Sequence, residues 1–389
     1  MKHLIHIAFP LCFVIFLSGC RQVNEVDISE DTFVIDLTKK CDDISLKLAD
    51  LYDDIKLIRL ETNKNSLIRN FRGFVGEKYI ISIGFEKVMQ FSADGRYIQT
   101  ITNKGHGPGE FTQIDAWAVN DNEHFLFYHD HSKNYIYKYD LDNCKSESKI
   151  PFVDKGYLSC MLSINDSTLA ILPNMFAKYG YLYFYQSHTG RILEGIKKEP
   201  VPHPGSWAGR TPIFVKTANN SILFQPSETD TVYRIEGSEI EPVISLTVEK
   251  PQKSGDKTTG FNISFLHIDN DRIFLGKSGY EKIIKPNFSS IKSLDAENLV
   301  FNKNNHTLHR ISHIYNDYLG IQLNIQYINF SQNNQFIIVQ YQAIAFKKLL
   351  EDAIKDIKLP EDKIISLKKL NSEISENDNP IFITGKCRN

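Results

Sequence analysis

Short runs rich in Ile, Phe and Tyr, hairpin turns that recur about every 47 residues, and a closing apolar segment matched to an early one predict an all-β chain. A repeat of that length is the length of a four-stranded blade, so the fold predicted is a six-bladed β-propeller with a helix inserted in the last blade.

The 389 residues begin with Lys2 and an apolar run, Leu4 to Phe16, closed by Leu17-Ser18-Gly19-Cys20. A spanning helix needs about 20 apolar residues, and this run is too short. Small residues ahead of a cysteine read instead as a lipoprotein signal peptide over 1–19, with cleavage and lipid attachment at Cys20. Residues 20–31 are polar and weakly patterned, as a lipid tether would be, which leaves 32–389 for the propeller.

Strand candidates follow in order: Tyr79–Ile83, Lys87–Phe91, Phe125–Tyr128, Tyr135–Tyr139, Tyr181–Tyr185 and Thr231–Ile235. The hairpin turns are Asp94-Gly95, Asp142-Asn143, Thr189-Gly190 and Glu236-Gly237. The next equivalent turn, Asn304-Asn305, comes late, so that blade is expected to carry an insertion. Gln326–Tyr341 together with Pro380–Gly385 supplies the sixth blade. Between them Phe346, Leu349, Leu350, Ala353, Ile354 and Ile357 fall at helical spacing, and Pro360 ends the run, which predicts one amphipathic helix packed on its own domain. Ring closure is expected from Ile55–Glu61 pairing with Pro380–Thr384, which removes two sheet edges at once.

Lys and Arg number 45 against 47 Asp and Glu, with both signs scattered. A nucleic-acid footprint would need a clustered basic excess, so that class is excluded. No second long apolar run is present, so the lipid is the expected membrane attachment. Of the cysteines beyond Cys20, namely Cys41, Cys144, Cys160 and Cys387, none forms a C-x-x-C, which argues against structural zinc. A Cys144–Cys160 disulfide would span neighbouring blades; the alternative is four free thiols.

The strand Ile58-Arg59-Leu60-Glu61-Thr62, the turn Phe91-Ser92-Ala93-Asp94-Gly95, the element Lys104-Gly105-His106-Gly107-Pro108-Gly109-Glu110-Phe111 and the terminal Glu376-Asn377-Asp378-Asn379-Pro380 span nearly all of the chain after Cys20. Together they resemble the six-bladed β-propeller lipoproteins of Bacteroides-type bacteria, distantly similar to NHL-repeat propellers. That resemblance implies a fold, and no particular activity.

Candidate sites are few. Gly105-His106-Gly107-Pro108-Gly109 lacks the Lys-Ser/Thr of a phosphate loop and reads as a tight inter-blade crossing, with Glu110 bonding nearby backbone. His129 and His131 stand two apart around Asp130, a spacing that could offer two metal ligands on one strand face, but no third is identifiable and the pair reads as exposed loop residues. The loop Pro202–Arg210 places His203, Trp207 and Arg210 together, a rim platform for a sugar or peptide. Trp117, inside a strand, reads as core. Asp166-Ser167-Thr168 and Asp230-Thr231-Val232 resemble the O-glycosylation signal of exported proteins in these bacteria, which implies modification at Ser167 and Thr231.

No Gly-x-Ser-x-Gly or His-Glu-x-x-His occurs. The expected function is therefore non-catalytic: a lipid-anchored, monomeric cell-envelope protein binding a glycan, a peptide or a partner protein, with no obligatory cofactor. The residue after Cys20 is Arg21, not the Asp of inner-membrane retention, so the outer membrane is the expected address. The alternative is a calcium-dependent hydrolase or lyase, because six-bladed propellers resembling lactonases draw calcium ligands singly from separate blades.

Overall fold

The computed structural model describes residues 32–152, 156–173, 182–196, 213–216, 221–225, 230–236, 239–285, 288–323, 328–330, 336–355 and 359–387. Their strands form six separate sheets, numbered I to VI here in chain order. Sheet I holds Gly73–Val75, Tyr79–Ile83, Lys87–Ser92 and Tyr97–Asn103 in a simple meander. Sheet II repeats it with Ile114–Val119, Phe125–Asp130, Tyr135–Asp140 and Lys145–Pro151, sheet III with Leu158–Asn165, Thr168–Pro173, Leu182–Gln186 and Ile192–Ile196, and sheet IV with Ile213–Lys216, Ile222–Gln225, Thr231–Glu236 and Glu239–Thr247. Sheet V is built on Lys257–Ile268, Arg272–Lys285, Phe288–Asn302 and Thr307–Asn316, and sheet VI on Ile328–Phe330, Phe336–Tyr341, Ile381–Cys387 and Tyr52–Arg59. The expected turns at Asp94-Gly95, Asp142-Asn143, Thr189-Gly190 and Asn304-Asn305 each join the last two strands of a meander.

Alternation explains why these strands read as unbroken apolar runs. In sheet II, Phe125 and Phe127 pack toward sheet III, while Leu126 and Tyr128 pack toward sheet I. Both faces are covered, so polar residues are displaced from both. Each fully buried Phe or Leu contributes roughly 1.5–3 kcal/mol.

Six apolar clusters result, each joining two sheets adjacent in order: I with II, II with III, III with IV, IV with V, and V with VI. The sixth, built on Ile58, Leu60, Val75, Ile80, Phe91 and Phe382, joins sheet VI back to sheet I. Sheet VI itself combines the two ends of the described chain: Ile381–Cys387 runs antiparallel to Tyr52–Arg59, with Arg59 opposite Ile381, Ile58 opposite Phe382 and Leu57 opposite Ile383. That is the closing pair expected from the sequence.

Two strands before this one add parallel outer strands that the sequence reading did not anticipate. Phe33–Asp36 lies against Glu239–Thr247 of sheet IV, and Asp42–Lys47 against Thr307–Asn316 of sheet V. Asp43 receives Arg310 through Nε at 2.5 Å and Nη2 at 2.8 Å, which holds its carboxyl below the ordinary carboxylate range.

The stretched repeat in sheet V arises from strand length. Its strands Lys257–Ile268, Arg272–Lys285 and Phe288–Asn302 run 12, 14 and 15 residues, longer than the strands of the other sheets. In sheet VI the link between Phe336–Tyr341 and Ile381–Cys387 is helical. A single turn, α1 (Leu48–Leu51), precedes the closing strand; α2 (Ala343–Ile354) and α3 (Glu361–Ser372) fill the link. The sequence predicts α2 but not α3, which buries only Leu367 and so carries almost no apolar period. Among the described residues no helix is long and apolar enough to cross a membrane.

Candidate functional site

The first strands of sheets II and III lie side by side, and those of III and IV also touch, so these three sheets meet along their first strands. In sheets I and II the antiparallel meander puts the turn between second and third strands, and the crossing 104–113 that leaves sheet I for sheet II, at one end of the molecule. There, at the junction of sheets I and II, lies a cavity of about 480 Å³.

Three segments wall it. Asn70 and Arg72 come from the lead into sheet I, Ile83 to Phe85 from its middle turn, and Lys104 with Phe111 to Ile114 from the crossing to sheet II. Backbone bonds tie the walls together: Ile83 N donates to Arg72 O (2.6 Å) and Lys104 N to Glu86 O (2.8 Å). The floor is apolar, since Phe111 is buried beside Ile83 and Ile114.

The crossing is held rigid from below. Glu110 folds back so that its carboxylate accepts Gly107 N (2.7 Å); a Cβ at Gly105 would stand 2.0 Å from the same oxygen, so a larger residue there would push the carboxylate out of this position. Lys133 Nζ donates to Glu110 O (2.5 Å), and Thr102 Oγ1 to Gly109 O (2.7 Å). Asp130, fully buried, accepts the N–H groups of Thr112 (2.8 Å), Gln113 (3.2 Å) and Lys133 (3.4 Å). Glu110 thus bonds the backbone of the glycine-rich element, as expected, and the residues flanking that element form a preformed wall.

Charge at the cavity is positive. Arg72 and Lys104 line it without any lining carboxylate. Among the described residues neither is in an ion pair: Arg72 Nη2 donates to Asp115 O (2.8 Å), and Lys104 Nζ sits 3.4 Å from the centre of the Phe85 ring. Phe85 is 78% exposed, the most open of the large apolar side chains described.

Of the two histidines beside this wall, His131 lies in a turn as expected, though half-buried. His129 is fully buried, not an exposed loop residue, because it lies within a strand covered on both faces. Its Nδ1 lies 2.7 Å from Asp115 Oδ1, while Asp115 Oδ2 accepts Leu158 N (2.8 Å) and so links sheets II and III. His131 stacks on Tyr157 at 3.5 Å. The two imidazoles stand 6.5 Å apart, and among the described residues no group of three or more His, Cys, Asp or Glu is arranged to hold a metal ion.

Cys20 and the loop residues His203, Trp207 and Arg210 lie outside the described residues. Ser167 occupies an exposed turn between the first two strands of sheet III, its hydroxyl on Asn165 Oδ1 (3.0 Å), at the end of the molecule opposite the cavity. Thr231 begins a strand of sheet IV and is half-buried. Trp117 is half-buried against the cluster between sheets I and II. Cys41, Cys144 and Cys160 are free thiols. Desolvation pushes the Cys160 thiol up to about 11, which keeps it protonated and unreactive at neutral pH. The cavity residues carry no joint signal in the sequence because they come from three separate segments that meet only in the fold; only Lys104 and Phe111, flanking the glycine-rich element, carry a local one.

Among solved structures, the chain is similar to a protein of Bacteroides fragilis named as exported, at 15% identity and a TM-score of 0.60, over 89% of this chain and 100% of that one. At this identity the likeness is one of fold. Weaker likenesses are to a duf4221 family member of Bacteroides vulgatus (8% identity, TM-score 0.45, 87% of this chain and 96% of that one) and to the Cps50 (Swd1) β-propeller domain of Myceliophteria thermophila (10%, 0.35, 70% and 95%). No curated protein matches. The family of the domain of unknown function DUF4934 matches residues 32–386, and the chain belongs to that family.

Proposed function

We propose that this protein is a six-bladed β-propeller lipoprotein, held at the outer membrane through Cys20, that binds a glycan, a peptide or an envelope protein without chemically altering it. Each sheet is one blade, and α2 with α3 is an insertion in the last. The succession of six clusters that returns to its start supports the ring. A wall built before any ligand arrives supports binding, because little ordering cost remains to be met on association. The single observation that carries the reading is the preformed cavity with two cations that lack carboxylate partners. A thermal-shift screen of the full-length protein in detergent tests it, using glycans, peptides and lactones, each with calcium and with chelator. The expected result is a glycan or peptide shift indifferent to chelator and lost in Phe85→Ala. Turnover of a lactone or glycoside that stops on chelation would overturn it in favour of a calcium-dependent hydrolase.

A further inference from the structure

Resting on that binding role, we infer that the cavity between sheets I and II takes a saccharide bearing a carboxylate, its acid group met by Arg72 and Lys104 and its ring by Phe85. Charge comes first. Two cations at a concave site with no lining carboxylate concentrate anions there and leave each cation's main partner to be supplied from outside. Arg72 spends one N–H on Asp115 O and keeps the rest of a planar fork that matches a carboxylate in two-point fashion. The Lys104 ammonium, steadied over the Phe85 ring, keeps donors as well.

The neutral groups suit a sugar. Asn70, Thr112 and Gln113 each carry side chains that both donate and accept, which hydroxyl-rich ligands require. Phe85 offers an exposed aromatic surface for the C–H face of a pyranose ring. The volume, about 480 Å³, lies within the usual span of small-molecule sites, roughly 300–1,000 Å³, which favours a short saccharide over a protein epitope.

Calorimetric titration of the full-length protein with trigalacturonate tests the assignment, beside a neutral trisaccharide in which the acid groups are reduced to alcohols and beside triglutamate. Trigalacturonate is expected to bind, more weakly as salt rises, with the neutral form bound at least about tenfold less tightly. Arg72→Gln and Lys104→Gln are each expected to weaken it by about tenfold or more, since each removes a hydrogen bond made to a charged group. Both side chains are exposed, so thermal melts of the variants should match the parent. Equal binding of the acidic and neutral sugars, or indifference to both substitutions, would overturn the proposal. Preference for triglutamate would overturn the sugar and leave the binding role standing. Binding of none of the three would overturn this assignment, while the broader panel decides the binding role separately.

Discussion

Single side chains bridge neighbouring sheets at the end of the molecule opposite the cavity, and Glu123 shows how. It sits at φ +56° in the first turn of sheet II, 4% exposed, and its carboxylate accepts the N–H groups of Glu77 (2.5 Å), Lys78 (2.9 Å) and Tyr79 (2.9 Å) of sheet I. Gly76 makes the approach feasible, since a Cβ there would meet the carboxylate at 2.5 Å. Burial raises the Glu123 carboxyl above its ordinary 4.5, against the pull of the three donors. The folded chain therefore holds that proton to higher pH than the unfolded chain. Stability from this group is complete below about 4.5 and declines as pH rises through the folded value. Glu123→Gln, which cannot titrate, should gain on the parent between pH 4 and pH 7 in denaturant unfolding. Glu123→Ala, leaving three donors without their acceptor, should cost about 2 kcal/mol or more at either pH. A second bridge joins three sheets: buried Lys216 of sheet IV reaches Asp121 of sheet II at 2.6 Å and Ser163 O of sheet III at 2.9 Å.

At the scale of elements, helix α2 belongs to the core. Phe346 and Leu350 are fully buried in the cluster between sheets V and VI, while Ile344 on its other face is 57% exposed. Leu350→Ala should destabilise by about 2–5 kcal/mol and Ile344→Ala by less than about 0.5 kcal/mol, measured by urea unfolding. Equal effects would mean that the helix stands off the sheets. This face was legible in the sequence because its apolar residues repeat at 3.6. The hairpin turns were legible as well, because Gly95 and Gly190 supply the left-handed backbone angle, and in the Asn-containing turns Asn and Asp favour turn geometry while the left-handed angle falls one residue later, at Cys144 and His306. Helix α3 was not, since one buried leucine makes no period. The parallel strands Phe33–Asp36 and Asp42–Lys47 were not either: they pair with residues some 210 and 270 positions away, and no local pattern records such a partner. The cavity shares that difficulty, as Arg72, Phe85 and Lys104 meet only through the fold.

At the largest scale, sheet VI joins an early strand, Tyr52–Arg59, to the last one, Ile381–Cys387. Phe382 is fully buried in the cluster that joins sheet VI to sheet I, and its strand lies between Phe336–Tyr341 and Tyr52–Arg59. Phe382→Ala should cost about 3–5 kcal/mol and lower a single cooperative unfolding transition, since opening one junction exposes two edges. A transition that instead splits in two would show that the sheets unfold independently.

The central claim, that ligand binding occurs at the preformed cavity between sheets I and II, is tested most directly by hydrogen exchange of the full-length protein with and without saturating trigalacturonate. Slower exchange in 70–72, 83–86 and 104–114, with the turns at the opposite end unchanged, is the predicted result. Protection confined to other segments, or none at all, would contradict it.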